Sequence, residues 1–123
     1  SWQSIAAGLP ADFGFVVLAH PTRAGSAWVI PIDDNTMLPP EGRLRLWRTY
    51  DSGESWEEVG DGLPNDHFAS VLRDAAHVID LDGTAAIAFG TRNGSVYASV
   101  DEGETFDEVT HRLPDVLSVR LSA

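Results

Sequence analysis

Two eight-residue stretches, TYDSGESW at residues 49–56 and SVDEGETF at residues 99–106, share one spacing of hydroxyl residue, Asp, Gly, hydroxyl residue and aromatic ring. Runs rich in β-branched and aromatic residues, typical of strands, flank both stretches. The Asp can accept backbone N–H groups inside a turn, and the Gly provides the positive φ at which the chain reverses. The spacing therefore predicts a tight hairpin in each copy. Its structural positions are Thr49, Asp51, Gly53, Ser55 and Trp56, and then Ser99, Asp101, Gly103, Thr105 and Phe106.

The repeat extends beyond the two hairpins. The segment SWQSIAAGLP at residues 1–10 resembles SWEEVGDGLP at 55–64 and TFDEVTHRLP at 105–114, so that Trp2, Trp56 and Phe106 recur 54 and 50 residues apart. Each interval contains four strand-like runs and no helical stripe. The predicted strands are residues 15–19, 27–32, 43–49 and 56–59, and then 70–73, 85–91, 95–99 and 106–109. A four-stranded antiparallel meander that recurs every ~50 residues is typical of β-propeller blades.

The length of 123 residues corresponds to about two and a half such blades, whereas closed propellers use about four to eight. We therefore expect an all-β chain that forms the C-terminal part of a longer β-propeller. Residues 1–10 would end one blade, 11–60 and 61–110 would each form a full blade, and 111–123 would supply the first strand of another, with residues 116–121 as that strand. The partners would be the remaining blades of a longer chain, with ring completion by other copies of the chain as the alternative.

Three stretches, RTYDSGESW at 48–56, GTRNGSVYAS at 90–99 and LPDVLSV at 113–119, resemble the Asp-box repeats, also called bacterial neuraminidase repeats. These repeats occur in sialidase-like, glycosyl-hydrolase-like and sortilin-like β-propellers, and the resemblance covers essentially the whole chain. It implies the propeller fold, and any enzymatic activity would be that of an exo-α-sialidase-like glycoside hydrolase. The arginine triad and tyrosine nucleophile of sialidases are not completed by this sequence, so the catalytic residues are expected largely outside it.

A meander also predicts which loops share an edge of the blade, because consecutive turns alternate between the two edges. The Asp-box hairpins would share one edge with the loops at 20–26 and 74–83. The opposite edge would collect the connections at 8–14, 60–68 and 110–115, the long insertion at 33–42 and the turn at 92–94. Long loops on a rigid scaffold often carry function, and sialidase-like enzymes work on the edge away from their Asp boxes. This second, loop-rich edge is therefore the predicted functional edge.

Four candidate ligand-facing residues lie in loops of that edge. Asp33 and Asp34 in the insertion could act as paired carboxylates in glycoside hydrolysis, or could cap a turn. Asp66 and His67 lie in a connection between blades. The histidine could act as an acid or base, although a loop histidine is more often simply exposed.

Two arginines complete the candidates. Arg73 is expected at the end of one inner strand and Arg120 within another, where either could clamp a carboxylate. The structural alternative for Arg73 is pairing with Asp74 or another acidic side chain.

The amino-acid composition limits the classes of partner and the chemistry that we expect. The formal net charge of −11 disfavours nucleic acids and anionic membranes, and all eight basic residues are arginines, which excludes a lysine Schiff base. The absence of cysteine excludes thiolate chemistry, and the four histidines lack metal-ligand spacing, so we expect no metal and no cofactor. No window approaches the ~20 apolar residues of a membrane span, and no signal-peptide pattern is present. We expect a soluble protein whose compartment is undecided, with the bacterial cytoplasm as the favoured location.

Two functions remain open. The leading hypothesis is a propeller that presents a carbohydrate or small anionic ligand near its channel, and the alternative is a non-enzymatic scaffold for protein binding or assembly. A pocket that gathers Arg73, Arg120 and loop carboxylates would favour the first, whereas a dispersed, shallow, apolar edge would favour the second.

Overall fold

The computed structural model describes residues 4–11, 13–33 and 35–122, and within them the regular structure is almost entirely β. Four strands form sheet 1, with hydrogen-bonded order β1-β2-β3-β4, and four form sheet 2, with order β5-β6-β7-β8. Every strand pairing within the two sheets is antiparallel. The strands are β1 (Phe13–Ala19), β2 (Ala27–Ile32), β3 (Leu46–Thr49), β4 (Glu57–Val59), β5 (Ala76–Leu81), β6 (Thr84–Gly90), β7 (Val96–Ser99) and β8 (Asp107–Thr110). The all-β expectation is confirmed. No helix among the described residues is long and apolar enough to span a membrane.

The hairpin between β3 and β4 has the internal bonding predicted from its spacing. The Thr49 hydroxyl donates to Asp51 Oδ1 at 2.8 Å and accepts the Gly53 N–H at 2.9 Å. Asp51 also accepts the Ser55 N–H at 2.9 Å and the Ser55 hydroxyl at 2.6 Å. The central residues Ser52 and Gly53 have φ of 59° and 88°, as the twist of a tight hairpin requires. These hydrogen bonds, first those from Ser55, lower the pKa of Asp51 to about 2.

The hairpin between β7 and β8 repeats this geometry. The Ser99 hydroxyl donates to Asp101 Oδ1 at 2.7 Å and accepts the Gly103 N–H at 3.0 Å. Asp101 accepts the Thr105 N–H at 3.0 Å and its hydroxyl at 2.6 Å. Burial raises the pKa of Asp101, but the hydrogen bonds from Thr105 and Ser99 outweigh it and hold that pKa below its usual range. Both hairpins are therefore closed by an ionised aspartate.

The two sheets share one hydrophobic core, which continues from sheet 1 into sheet 2. Its largest fully buried side chains include Trp28, Leu46, Ile87 and Phe89. Phe106, immediately before β8, packs edge-on against Phe89 with ring centroids 5.4 Å apart. Burying an aromatic ring of this size stabilises the fold by about 3 kcal/mol.

Two strand predictions are wrong. Residues 70–73 are not the first strand of sheet 2, because β5 occupies residues 76–81, within the predicted 74–83 loop, and follows a 3-10 turn at Arg73–Ala75. The chain reverses between β5 and β6 within two residues, Asp82 and Gly83. Their φ angles of 51° and 92° fit a two-residue hairpin turn. Residues 116–121 form no strand either, because their backbone N–H groups bond separately to the Thr91 and Asp74 carbonyls and to the His77 ring rather than to one strand.

The two sheets differ in how well their corresponding faces are covered. The register places Ala27 opposite Thr49 in sheet 1 and Ile87 opposite Ser99 in sheet 2, so Ala27 and Ile87 are equivalent. Ile87 is fully buried, whereas Ala27 lines an open, mainly apolar cavity of about 530 Å³ together with Val17, which is 70% exposed. Trp2 lies outside the described residues. Residues 4–6 and Leu9 border the same cavity.

Candidate ligand-binding cleft

The structure separates the loops into two edges. At one edge, the Gly25 carbonyl accepts the Ser52 N–H at 2.9 Å, and the Ala85 carbonyl accepts the Glu102 N–H at 3.1 Å. The two motif hairpins therefore lie beside the β1–β2 and β5–β6 turns, as an antiparallel meander requires. The insertion after β2, the connection from β4 to β5 and the β6–β7 turn lie at the other edge, which we call the loop edge.

A cleft of about 450 Å³ opens at the loop edge, where loops of both sheets meet. One wall comes from the insertion of sheet 1, and the others come from the connection between the sheets, the β6–β7 turn and the segment after β8. The cleft is lined by Thr36, Met37, Leu38, Phe68, Ala69, Ser70, Arg92, Asn93 and Asp115. Its volume lies within the range of small-molecule sites.

Asp33 builds the insertion and does not line the cleft. Its side-chain Oδ1 accepts the N–H groups of Asn35 at 2.8 Å and Thr36 at 3.2 Å. Its backbone N–H donates to the Leu38 carbonyl at 2.8 Å, and its carbonyl accepts the Met37 N–H at 2.7 Å. The turn-capping alternative therefore describes Asp33. Asp34 lies outside the described residues.

The β6–β7 turn supplies the polar wall of the cleft. The Arg92 N–H donates to the Ser70 carbonyl at 3.0 Å, which ties the turn to the connection between the sheets. The Arg92 guanidinium donates to Asp115 Oδ2 from Nη2 at 2.9 Å and from Nε at 3.2 Å. The Thr91 hydroxyl donates to Asn93 Oδ1 and thereby orients its amide. The polar wall thus combines the Arg92 cation and the Asn93 amide of the β6–β7 turn with the Asp115 anion of the segment after β8.

Phe68 supplies the apolar wall. Its side chain is 65% exposed, yet the far edge of its ring rests on Gly42, where an added Cβ would lie 2.8 Å from the ring. The neighbouring His67 N–H donates to the Gly42 carbonyl at 2.7 Å. These contacts hold an exposed aromatic ring in place at the mouth of the cleft.

His67 is not the exposed loop histidine that was expected. Only 5% of the residue is exposed, and its Nε2 has no hydrogen-bond partner among the described residues. Burial lowers the pKa of His67, against the opposing effect of Asp66, and so favours the neutral ring. Asp66 itself is exposed. Neither residue lines the cleft.

Arg73 and Arg120 do not converge on the cleft. Arg73 is exposed and begins the 3-10 turn before β5, so its placement at the end of a strand is wrong. Arg120 lies in the strand-free segment, where Nη1 donates to the Asp74 carbonyl at 2.8 Å and Nη2 lies 3.6 Å from Asp74 Oδ1. The pairing with Asp74 that was considered for Arg73 is thus made by Arg120.

A second polar cluster lies at the opposite edge, between the sheets, and sequence reasoning missed it. The Glu102 carboxylate accepts a hydrogen bond from His20 Nε2 at 3.0 Å and another from the Ala85 N–H. Its backbone carbonyl accepts the Trp28 indole N–H at 3.0 Å and a guanidinium N–H of Arg48 at 3.1 Å. Glu102 therefore links sheet 2 to three side chains of sheet 1.

The tautomer of His20 follows from its contacts. Nδ1 accepts the backbone N–H groups of Thr22 and Arg23, each at 3.1 Å, so the proton must lie on Nε2, facing Glu102. The ring also stacks on Trp28 with centroids 5.5 Å apart. With both nitrogens occupied by the fold, this cluster is structural. No group of three or more acidic or histidine side chains in the described part of the chain is arranged to hold a metal ion.

Comparison of the sequence with models of known protein families and with curated proteins found no match. The function must therefore be argued from the cleft itself.

Proposed function

We propose that the two sheets are consecutive blades of an Asp-box β-propeller of the sialidase-like, glycosyl-hydrolase-like kind, and that the cleft at the loop edge binds carbohydrate. The chain would be part of a bacterial protein of this kind. Any glycosidase activity would depend on catalytic residues largely outside these 123 residues, because Asp115 is the one carboxylate among the described residues that lines the cleft, and a glycosidase needs two.

The propeller arrangement is supported by the way in which one sheet follows the other. The first strands of both sheets, β1 and β5, are in contact, and the start of β8 is joined to the connection after β4 by the Phe106 N–H, which donates to the Asp61 carbonyl at 2.8 Å. Successive sheets that touch at both their inner and outer strands are typical of neighbouring blades. The uncovered cavity beside Val17 and Trp56 would then be filled by the preceding blade, from a longer chain or from another copy.

Carbohydrate binding is supported by one observation above the others: the cleft combines an exposed aromatic ring with hydrogen-bonding side chains from separate loops. A sugar ring has apolar C–H faces and a rim of hydroxyl groups, so a site that binds it needs an apolar wall and a polar wall. Phe68 provides the apolar wall, and Arg92, Asn93 and Asp115 provide the polar wall. The same groups would also suit another small polar ligand.

A glycan array probed with the folded protein tests this proposal. Wild-type protein should bind a subset of glycans, and Phe68→Ala should lose that binding. The matched control is Tyr50→Ala, which removes an aromatic ring that is 51% exposed at the opposite edge and should leave binding intact. Absence of glycan binding, or equal loss in both variants, would reject the proposal. Glycan hydrolysis by the same wild-type sample tests separately whether the protein is an enzyme.

A non-enzymatic scaffold that binds a protein partner is the second candidate. It is favoured by the exposure of two apolar side chains at the cleft, Phe68 at 65% and Met37 at 43%. Met37→Ala separates the candidates, because it should weaken protein binding while leaving contacts to sugar hydroxyls in place.

A further inference from the structure

The ion pair between Arg92 and Asp115 decides whether the cleft suits a charged or an uncharged ligand. Arg92 and Asp115 lie 2.9 Å apart, and their side chains are 52% and 49% exposed. Each therefore keeps hydrogen-bonding capacity toward the cleft while their charges cancel. An anion placed there would meet a neutralised guanidinium, and it would also meet the field of a chain with a formal net charge of −11. The pair suits a ligand with hydroxyl groups, which can accept from the guanidinium and donate to the carboxylate.

The apolar wall has a defined position. Gly42 has φ of 71°, and its lack of a Cβ lets the ring of Phe68 lie against its backbone. The ring is thus restrained at one edge and open over most of its surface. An immobilised aromatic face loses little conformational entropy when a sugar ring stacks on it.

Asn93 provides the third contact. Because its Oδ1 accepts from the Thr91 hydroxyl, its amide nitrogen is the end available to donate into the cleft. Gly94, with φ of 89°, turns the chain immediately afterward, and its carbonyl accepts the Leu113 N–H at 3.1 Å. The amide is therefore presented from a restrained turn.

From the ion pair, the Phe68 ring and the Asn93 amide we infer that the cleft binds an uncharged pyranose, stacked on Phe68 and hydrogen-bonded through its hydroxyls to Arg92, Asp115 and Asn93. This inference rests on the proposed carbohydrate function and narrows it, because it selects neutral sugars over acidic ones. Arg73 and Arg120, the cations expected to bind a carboxylate, lie outside the cleft.

The test is titration of the protein with two sets of sugars, followed by calorimetry and saturation-transfer NMR. The neutral probes are methyl β-glucopyranoside and lactose, and the acidic probes are glucuronate and N-acetylneuraminate. Neutral sugars should bind more tightly than acidic ones. Phe68→Ala should weaken neutral-sugar binding about tenfold, from the loss of aromatic stacking. Tyr50→Ala should bind as the wild type does.

Asp115→Asn distinguishes the two kinds of sugar most sharply. It removes a charged acceptor and frees the Arg92 guanidinium, so it should weaken neutral-sugar binding about tenfold. Tighter binding of acidic than of neutral sugars by the wild-type protein would overturn the inference and leave the carbohydrate function standing. Binding of neither set, with a glycan array also negative, would overturn both. Circular dichroism of each variant establishes that it is folded.

Discussion

Replacing Glu102 by alanine should destabilise the protein, although Glu102 lies in a hairpin turn. The substitution removes the acceptor for the Ala85 N–H and for the His20 Nε2–H, while Ala85 and the His20 side chain are both fully buried. Each abandoned buried donor costs about 1–3 kcal/mol. Water can reach part of the site because the Glu102 side chain is 16% exposed, so the lower half of the range applies to each donor. We expect a loss of about 3 kcal/mol in the free energy of unfolding.

Urea denaturation followed by tryptophan fluorescence measures this loss, and a thermal melt should show a midpoint about 12 °C lower. The matched control is Ser52→Ala, at the equivalent position of the first hairpin, where the side chain is exposed. It should change the free energy of unfolding by less than about 0.5 kcal/mol. If Glu102→Ala also changes the free energy of unfolding by less than about 0.5 kcal/mol, the Glu102 carboxylate does not join the two sheets.

Three further predictions follow from the hairpins and turns. Because the pKa of Asp51 is lowered to about 2, its contribution to stability should be complete above about pH 4 and lost as the pH falls through 2, and Asp51→Asn should flatten this part of a pH-dependent denaturation series. Phe106→Ala should cost about 3–5 kcal/mol in urea denaturation. Trp56→Ala, at the equivalent position of the first hairpin, should cost less free energy of unfolding, because Trp56 is only half-buried. Equal losses in the two variants would contradict the interpretation that this face of sheet 1 is uncovered. Gly94→Ala should be far more destabilising than Gly83→Ala in thermal melts. Both glycines have positive φ, but only at Gly94 does the added Cβ collide with a carbonyl, that of Leu113 at 1.9 Å.

The hairpins and most strands could be predicted from the sequence because their determinants are local. Asp51 and Asp101 bond to residues at most four positions away, so the spacing of hydroxyl, Asp and Gly contains the whole geometry. Strand β2 was predicted at its observed bounds, because its run of apolar residues ends at turn-forming residues on both sides. Strand β5 could not be predicted, because Asp82-Gly83 fits the end of a longer loop as well as it fits a two-residue turn.

The cleft could be assigned to an edge but not to its residues. The 33–42 insertion and the 92–94 turn were both predicted at the loop edge, where they line the cleft. Phe68 and Asp115 were missed as ligand-facing groups, because their placement depends on Gly42 and Arg92, which are distant in sequence. A buried histidine has no sequence signal either, because the burial of His67 comes from packing between elements.

The packing of sheet 1 against sheet 2 underlies both the propeller proposal and the cleft, since each sheet supplies part of its lining. The indole N–H of Trp28 reports directly on that packing, because it donates to the Glu102 carbonyl at 3.0 Å and would lie 3.0 Å from a Cβ on Gly103. NMR of the 15N-labelled protein should show a slowly exchanging Trp28 indole proton with a through-space cross-peak to Gly103. A rapidly exchanging indole proton without a cross-peak to any residue of the second hairpin would contradict the arrangement of the two sheets.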